Sequence, residues 1–87
     1  MESIYVIYEV YSDNYKNLNG LLIDKKYLTT YTKEQDMISR IESEMRFQCL
    51  GNEGWSFKRV VDKDSYTMII YYGNEEQYRM IGKEIRL

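Results

Sequence analysis

Histidine and proline are absent from this chain, cysteine occurs once, and no apolar run is long enough to cross a bilayer. Without histidine, the commonest general base and transition-metal ligand at neutral pH is missing, so triad hydrolysis and most metal-assisted hydrolysis lose their usual centre. The lone cysteine, Cys49, permits no internal disulfide and suits a reducing compartment. A bilayer span takes ~18 apolar residues, and the opening Met1-Glu2-Ser3-Ile4 carries neither the basic segment nor the apolar run of a secretory signal. The expectation is a cytoplasmic protein with no membrane partner. Charge of one sign is scarce too: 12 basic against 14 acidic residues leave a net −2, which weighs against duplex DNA as a partner.

What the chain has in excess is tyrosine, ten in 87 residues. A phenol buries a broad ring while keeping a hydroxyl for hydrogen bonding, so it serves in strands and at wet interfaces alike. Apolar residues at 44% and charged residues at 30% place the chain among folded globular proteins, and its length leaves room for one domain, residues 1–87.

Residues 3–11 alternate as a half-buried strand does, with Ile4, Val6, Tyr8 and Val10 on one face and Tyr5, Ile7, Glu9 and Tyr11 on the other. The aliphatic set is expected to face the core. Ser12 to Gly20 is rich in Asn, Asp, Ser and Lys and reads as a loop. Leu21-Leu22-Ile23 and Tyr27 to Tyr31 are strand-like, with Asp24-Lys25-Lys26 between them as a bulge or turn. Thr32 with Gln35 fits a capping box, and Met37, Ile38, Ile41, Met45 and Cys49 recur at spacings of three and four, so a helix is expected over about 33–50, closed by Gly51. Trp55–Val61 and Tyr66–Tyr72 form a hairpin across Asp62-Lys63-Asp64-Ser65, and Gln77–Leu87 returns as a last strand kinked near Gly82. The order β-β-α-β-β-β makes an α+β fold, with a single helix packed on an antiparallel sheet.

No set of residues spells out a reaction. Cys49 lies on the apolar helix stripe, where a thiol is inert. Counted from Asp62, a calcium loop would need glycine at Thr67 and glutamate at Gly73, so Asp62 and Asp64 read as a solvated turn. Gly51 and Gly54 are followed by neither the Lys-Ser/Thr nor the helix of a phosphate loop, and Glu42/Glu44 and Glu75-Glu76 read as surface charge. A non-enzymatic protein without cofactor or metal is the expectation.

The alternation leaves a surplus of apolar side chains. If Val6, Met68 and Ile70 face the helix, then Tyr5, Ile7, Tyr11, Thr67, Ile69 and Tyr71 face away from it. An aromatic centre with a polar rim is the composition of a protein-binding surface, and Tyr5, Ile7, Glu9, Tyr11, Lys58, Tyr71 and Arg79 are its candidate residues. Self-association into a homodimer, through this face or through an edge strand, or cover from the Ser12–Gly20 loop, would fit the same pattern. The alternative is a nucleotide or single-stranded nucleic-acid binder, since Trp55, Lys58, Arg59, Tyr71 and Tyr72 mix rings with cations.

The run Ile4-Tyr5-Val6-Ile7-Tyr8-Glu9-Val10-Tyr11, the helix capped after Tyr31 and the tyrosine-rich terminal hairpin resemble the layout of small bacteriophage and mobile-element proteins, anti-CRISPR inhibitors among them. The resemblance is one of size, composition and layout over the whole chain. It implies an inhibitor or adaptor that occludes a host protein in the cytoplasm, and it carries over no functional residue.

Overall fold

The computed structural model describes residues 2–12 and 25–87, of which residues 25–29 are described by backbone alone. Its elements are β1 (Ser3–Tyr11), β2 (Lys25–Tyr31), α1 (Glu34–Cys49), β3 (Trp55–Val61), β4 (Ser65–Tyr72) and β5 (Glu75–Arg86). The strands form one antiparallel sheet in the order β2-β1-β5-β4-β3, so the first and last strands are neighbours near its centre. The expected element order and the helix-on-sheet architecture are both present. The part of the Ser12–Gly20 loop after Ser12, and the strand-like Leu21–Ile23, lie outside the described residues.

The helix forms because its apolar side chains recur on one stripe: Met37, Ile41, Met45 and Cys49 are buried, and Ile38 packs beside them. Sealing each such side chain from water stabilises the fold by about 1.5–3 kcal/mol. Its N-cap is Lys33, in extended conformation and without a side-chain cap, so the capping box expected at Thr32 does not form. Glu34 and Asp36 in the first turn, and Arg46 in the last, instead complement the helix dipole. At the other end Gly51 takes φ 78° and Leu50 N–H donates to Arg46 O, which stops the helix where the sequence placed its end.

The two hairpin turns follow from local chemistry. Asp62 N–H donates to Ser65 O at 2.9 Å, closing the β3–β4 hairpin around Lys63 and Asp64. Between β4 and β5, Gly73 at φ 62° leads a two-residue turn joining the paired Tyr72 and Glu75, the arrangement in which glycine relieves the strain of a II′ turn. Two register shifts punctuate the sheet. Tyr8 pairs with Tyr27 while Ile7 pairs with Thr29, so the irregularity in the described part of β2 falls at Leu28, Lys25 and Lys26 pair in register with Val10 and Glu9, and Asp24 lies outside the described residues. The other separates Ile70↔Tyr78 from Tyr71↔Glu76.

Gly82 does not kink β5; its pairing with β1 runs unbroken from Tyr78 to Arg86. The reason for glycine there is overhead. A Cβ at this position would lie 2.6 Å from Met37 Sδ and 3.0 Å from Ile41 Cδ1. The helix therefore rests directly on the backbone of β5, and Ile7, paired with Gly82 and fully buried, fills the space beside it.

Candidate functional site

The helix settles which face of the sheet is which, and for β1 it reverses the expectation. Ile7 belongs to the core beneath α1 with Met68, Ile70, Tyr78 and Met80, and Tyr5 and Tyr11 pack against that core from the same side. Ile4, Val6, Tyr8 and Val10 accordingly line the opposite face. Of the candidate binding residues, Tyr5, Ile7, Glu9 and Tyr11 thus stand on the helix-covered side, with Ile7 and Glu9 buried; Lys58, Tyr71 and Arg79 stand on the reverse face as expected. β4 follows the expected parity, Met68 and Ile70 inward and Thr67, Ile69 and Tyr71 outward.

Polar groups on the helix side are tied into the fold. Glu9, 5% exposed, accepts a hydrogen bond from the Tyr11 hydroxyl, whose ring lies 5.4 Å from that of Tyr78. A buried carboxylate needs such a partner. Arg40 stands within electrostatic reach of Glu9 and Tyr31; its guanidinium is held above its ordinary pKa first by the hydrogen bond to Glu44, at 2.9 Å. A second cluster pins the helix to the β3–β4 hairpin. Tyr66 Oη donates to Glu42 Oε2 at 2.6 Å, Arg59 Nε donates to Tyr66 Oη at 2.7 Å, and Arg59 Nη2 reaches Glu42 Oε2 at 3.2 Å. The Tyr66 hydroxyl, then Arg59 and Arg46, depress the Glu42 pKa below the usual carboxylate range, while burial and the bond to Glu42 push the Tyr66 phenol up.

The reverse face is built by even positions of β1 and odd positions of β4 and β5. Pairing places Tyr8 beside Ile81, Val6 beside Lys83, Ile4 beside Ile85, and Val10 and Ile69 on either side of Arg79. Val6 and Ile69 are sealed to 7% and 5% exposure, while Ile85 remains 42% exposed. Lys58 on the edge strand β3 and Lys83 on the central strand β5 are exposed, and Arg79 is clamped by Glu76 through bonds of 2.6 and 2.9 Å. Among the described residues no element packs on this face, since α1 covers the other. It combines an aliphatic floor, the rings of Tyr8 and Tyr71, and the cations Arg79 and Lys83 of the central strand with Lys58 at the edge. The sequence reading missed Tyr8, Ile81, Lys83 and Glu76. The signal that would have found them is Gly82, because a glycine under the helix assigns its neighbours Ile81 and Lys83 to the far side.

A separate cleft of about 100 Å³ opens between the start of α1 and the β3–β4 turn, floored by Met37, Ile38 and Gly82 and rimmed by Glu34, Asp62, Asp64 and Glu84. No three His, Cys, Asp or Glu residues among those described are placed to hold a metal ion. Cys49 is buried, and desolvation raises its thiol pKa, which makes it a poor nucleophile. No described helix is long and apolar enough to cross a membrane. No family model, no curated protein and no solved structure matches this chain.

Proposed function

We propose that this chain is a non-enzymatic protein-binding module that docks through the reverse face of its sheet, around Tyr8, Tyr71, Ile81 and Ile85, with Arg79 among them and Lys58 at the rim. One observation carries the reading: α1 covers one side of the five-stranded sheet, and on the other side, where no described element packs, Tyr8, Ile81, Ile85 and Tyr71 stand around Arg79 and Lys83 of the central strand β5. Water-facing sheet surfaces alternate to polar residues, so an apolar one has a use. The layout shared with small phage inhibitors makes a host defence or nucleic-acid-processing protein the partner class. A free, buried cysteine fits action in a reducing cytoplasm. Full-length tagged protein with Tyr71→Ala and Ile81→Ala should lose the partner captured by wild type from bacterial lysate while keeping its far-ultraviolet circular dichroism. Undiminished capture by the folded double variant would refute the site.

A second reading rests on the same face, where the rings of Tyr8 and Tyr71 share one side of the sheet with Lys58, Arg79 and Lys83. Rings flanked by cations suit stacking on the bases of a single strand. Fluorescence titration with single-stranded oligonucleotides at low and high salt separates the two: salt-sensitive binding supports this reading, and none at low salt removes it.

A further inference from the structure

The reverse face of the sheet carries charge of nearly one sign. Among the side chains described within its paired strands, Lys58, Arg79 and Lys83 stand on this side, and the one carboxylate is Glu76, opposite Tyr71. Glu76 compensates Arg79 through bonds of 2.6 and 2.9 Å. Lys58 and Lys83 are exposed, and neither makes an ion pair among the described residues. The chain as a whole is net −2, so this positive excess is local to the face. A local field of this sign draws anionic partners and turns cationic ones away.

Register fixes where the free charges stand. Lys58, Ile69 and Arg79 share one cross-strand row, and Lys83 lies four residues beyond Arg79 on β5. A strand spacing of about 4.8 Å and a rise of about 3.3 Å per residue then set the Cα atoms of Lys58 and Lys83 about 16 Å apart. The row between them is Val60, Thr67 and Ile81, continued by Tyr8. Two free ammonium groups therefore bracket a largely apolar row, and Ile85, 42% exposed, lies beyond Lys83. The same geometry weighs against a nucleic-acid strand. Tyr8 stands in the row of Thr67, and Tyr71 lies four residues along β4 from Thr67, so the two tyrosines are also about 16 Å apart at Cα. Neighbouring bases of a stacked strand are about 3.4 Å apart, so these rings make no continuous stacking platform, and two free lysines answer few phosphates. We propose that the partner is an acidic protein segment, whose carboxylates meet Lys58 and Lys83 and whose apolar side chains lie between them on Ile81, beside Tyr8. This rests on the docking face proposed above and names the chemistry of its partner.

Isotope-labelled full-length protein titrated with defined probes, followed by amide chemical shifts, tests this. The probes are a soluble Glu- and Leu-rich peptide, the same peptide with Gln for every Glu, and oligothymidylate. The acidic peptide should shift the amides of Ile81 and Lys83 and bind less tightly as salt is raised. The Gln peptide should bind at least about tenfold more weakly, and so should the acidic peptide to a folded Lys58→Glu/Lys83→Glu variant. No binding of the acidic peptide, equal binding of the Gln peptide, undiminished binding by the variant, or tighter binding of oligothymidylate would each overturn the proposal. Lysate capture separates its failure from that of the face itself. Capture lost with Tyr71→Ala and Ile81→Ala but undiminished with Lys58→Glu and Lys83→Glu keeps the face and refutes the acidic partner. Capture undiminished by either pair refutes the face.

Discussion

Replacing Gly82 by alanine adds one methyl group at the point where helix and sheet touch. That carbon would stand 2.6 Å from Met37 Sδ, 2.9 Å from Met37 Cε and 3.0 Å from Ile41 Cδ1, all closer than van der Waals contact allows. The Met37 thioether can swing aside, but Ile41 is fully buried and has nowhere to move. Overpacking of this kind costs about 1–3 kcal/mol, and the entropy advantage of alanine over glycine in the unfolded chain offsets under 1 kcal/mol of it. The net expectation is about 1–2 kcal/mol, or ~4–16 °C in melting temperature for a domain of this size. Because Gly82 is not among the glycines at positive φ, the loss would report packing and not backbone strain. Met37→Ala supplies the partner for a double-mutant cycle. Alone it should destabilise by about 2–5 kcal/mol; with Gly82→Ala the combined loss should fall short of the sum, since the new methyl occupies vacated space. Thermal melts of the four proteins decide the matter. A more stable Gly82→Ala, or strict additivity with Met37→Ala, would refute the close approach of helix to β5.

Acid should loosen the helix–hairpin pin. Glu42 is depressed in the fold relative to its ordinary value of 4.5, so its contribution is present above that pH and is lost as pH falls through the lower, folded pKa. Melting temperature should therefore decline below about pH 4.5 more steeply in wild type than in Glu42→Gln. Tyr66 is raised above 10.0, so its contribution is complete below that pH and disappears as the pH climbs past the folded value; absorbance near 295 nm should show a late-ionising component that Tyr66→Phe removes. Tyr11→Phe deletes the hydroxyl that donates to the buried Glu9 carboxylate and should cost about 1–3 kcal/mol by denaturant titration, with Glu9→Gln in the same background recovering part of the loss. Phe47 is 79% exposed on the solvent side of α1, so Phe47→Ser should leave the melting temperature within a few degrees of wild type.

How much of this was legible beforehand differs from element to element. The β3–β4 hairpin and the helix were readable because their signals are local: polar connector residues between β-branched runs, and a three-four apolar spacing closed by glycine. The face of β1 was not. Its two sides are nearly equal in hydrophobicity, Ile4, Val6 and Val10 against Tyr5, Ile7 and Tyr11, so alternation alone had no preference and the β-branched residues suggested the wrong one. What decides the matter is pairing: β1 lies beside β5 with Ile7 opposite Gly82, and the helix sits over that glycine. Long-range register is invisible to a local pattern. Glu9 was mistaken for a rim charge for the same reason. Lys58, Tyr71 and Arg79 were placed correctly because Met68 and Ile70 dominate their side of β4 and fix its parity.

The assignment of the two sheet faces underlies every site argued above, and isoleucine methyl spectra in the presence of a soluble paramagnetic relaxation agent test it directly. Ile7, Ile41 and Ile70, fully buried under or within the helix, should keep their intensity, while Ile85, 42% exposed on the reverse face, should be broadened most. An Ile7 methyl bleached as strongly as that of Ile85 would contradict the assignment and return β1 to the opposite orientation.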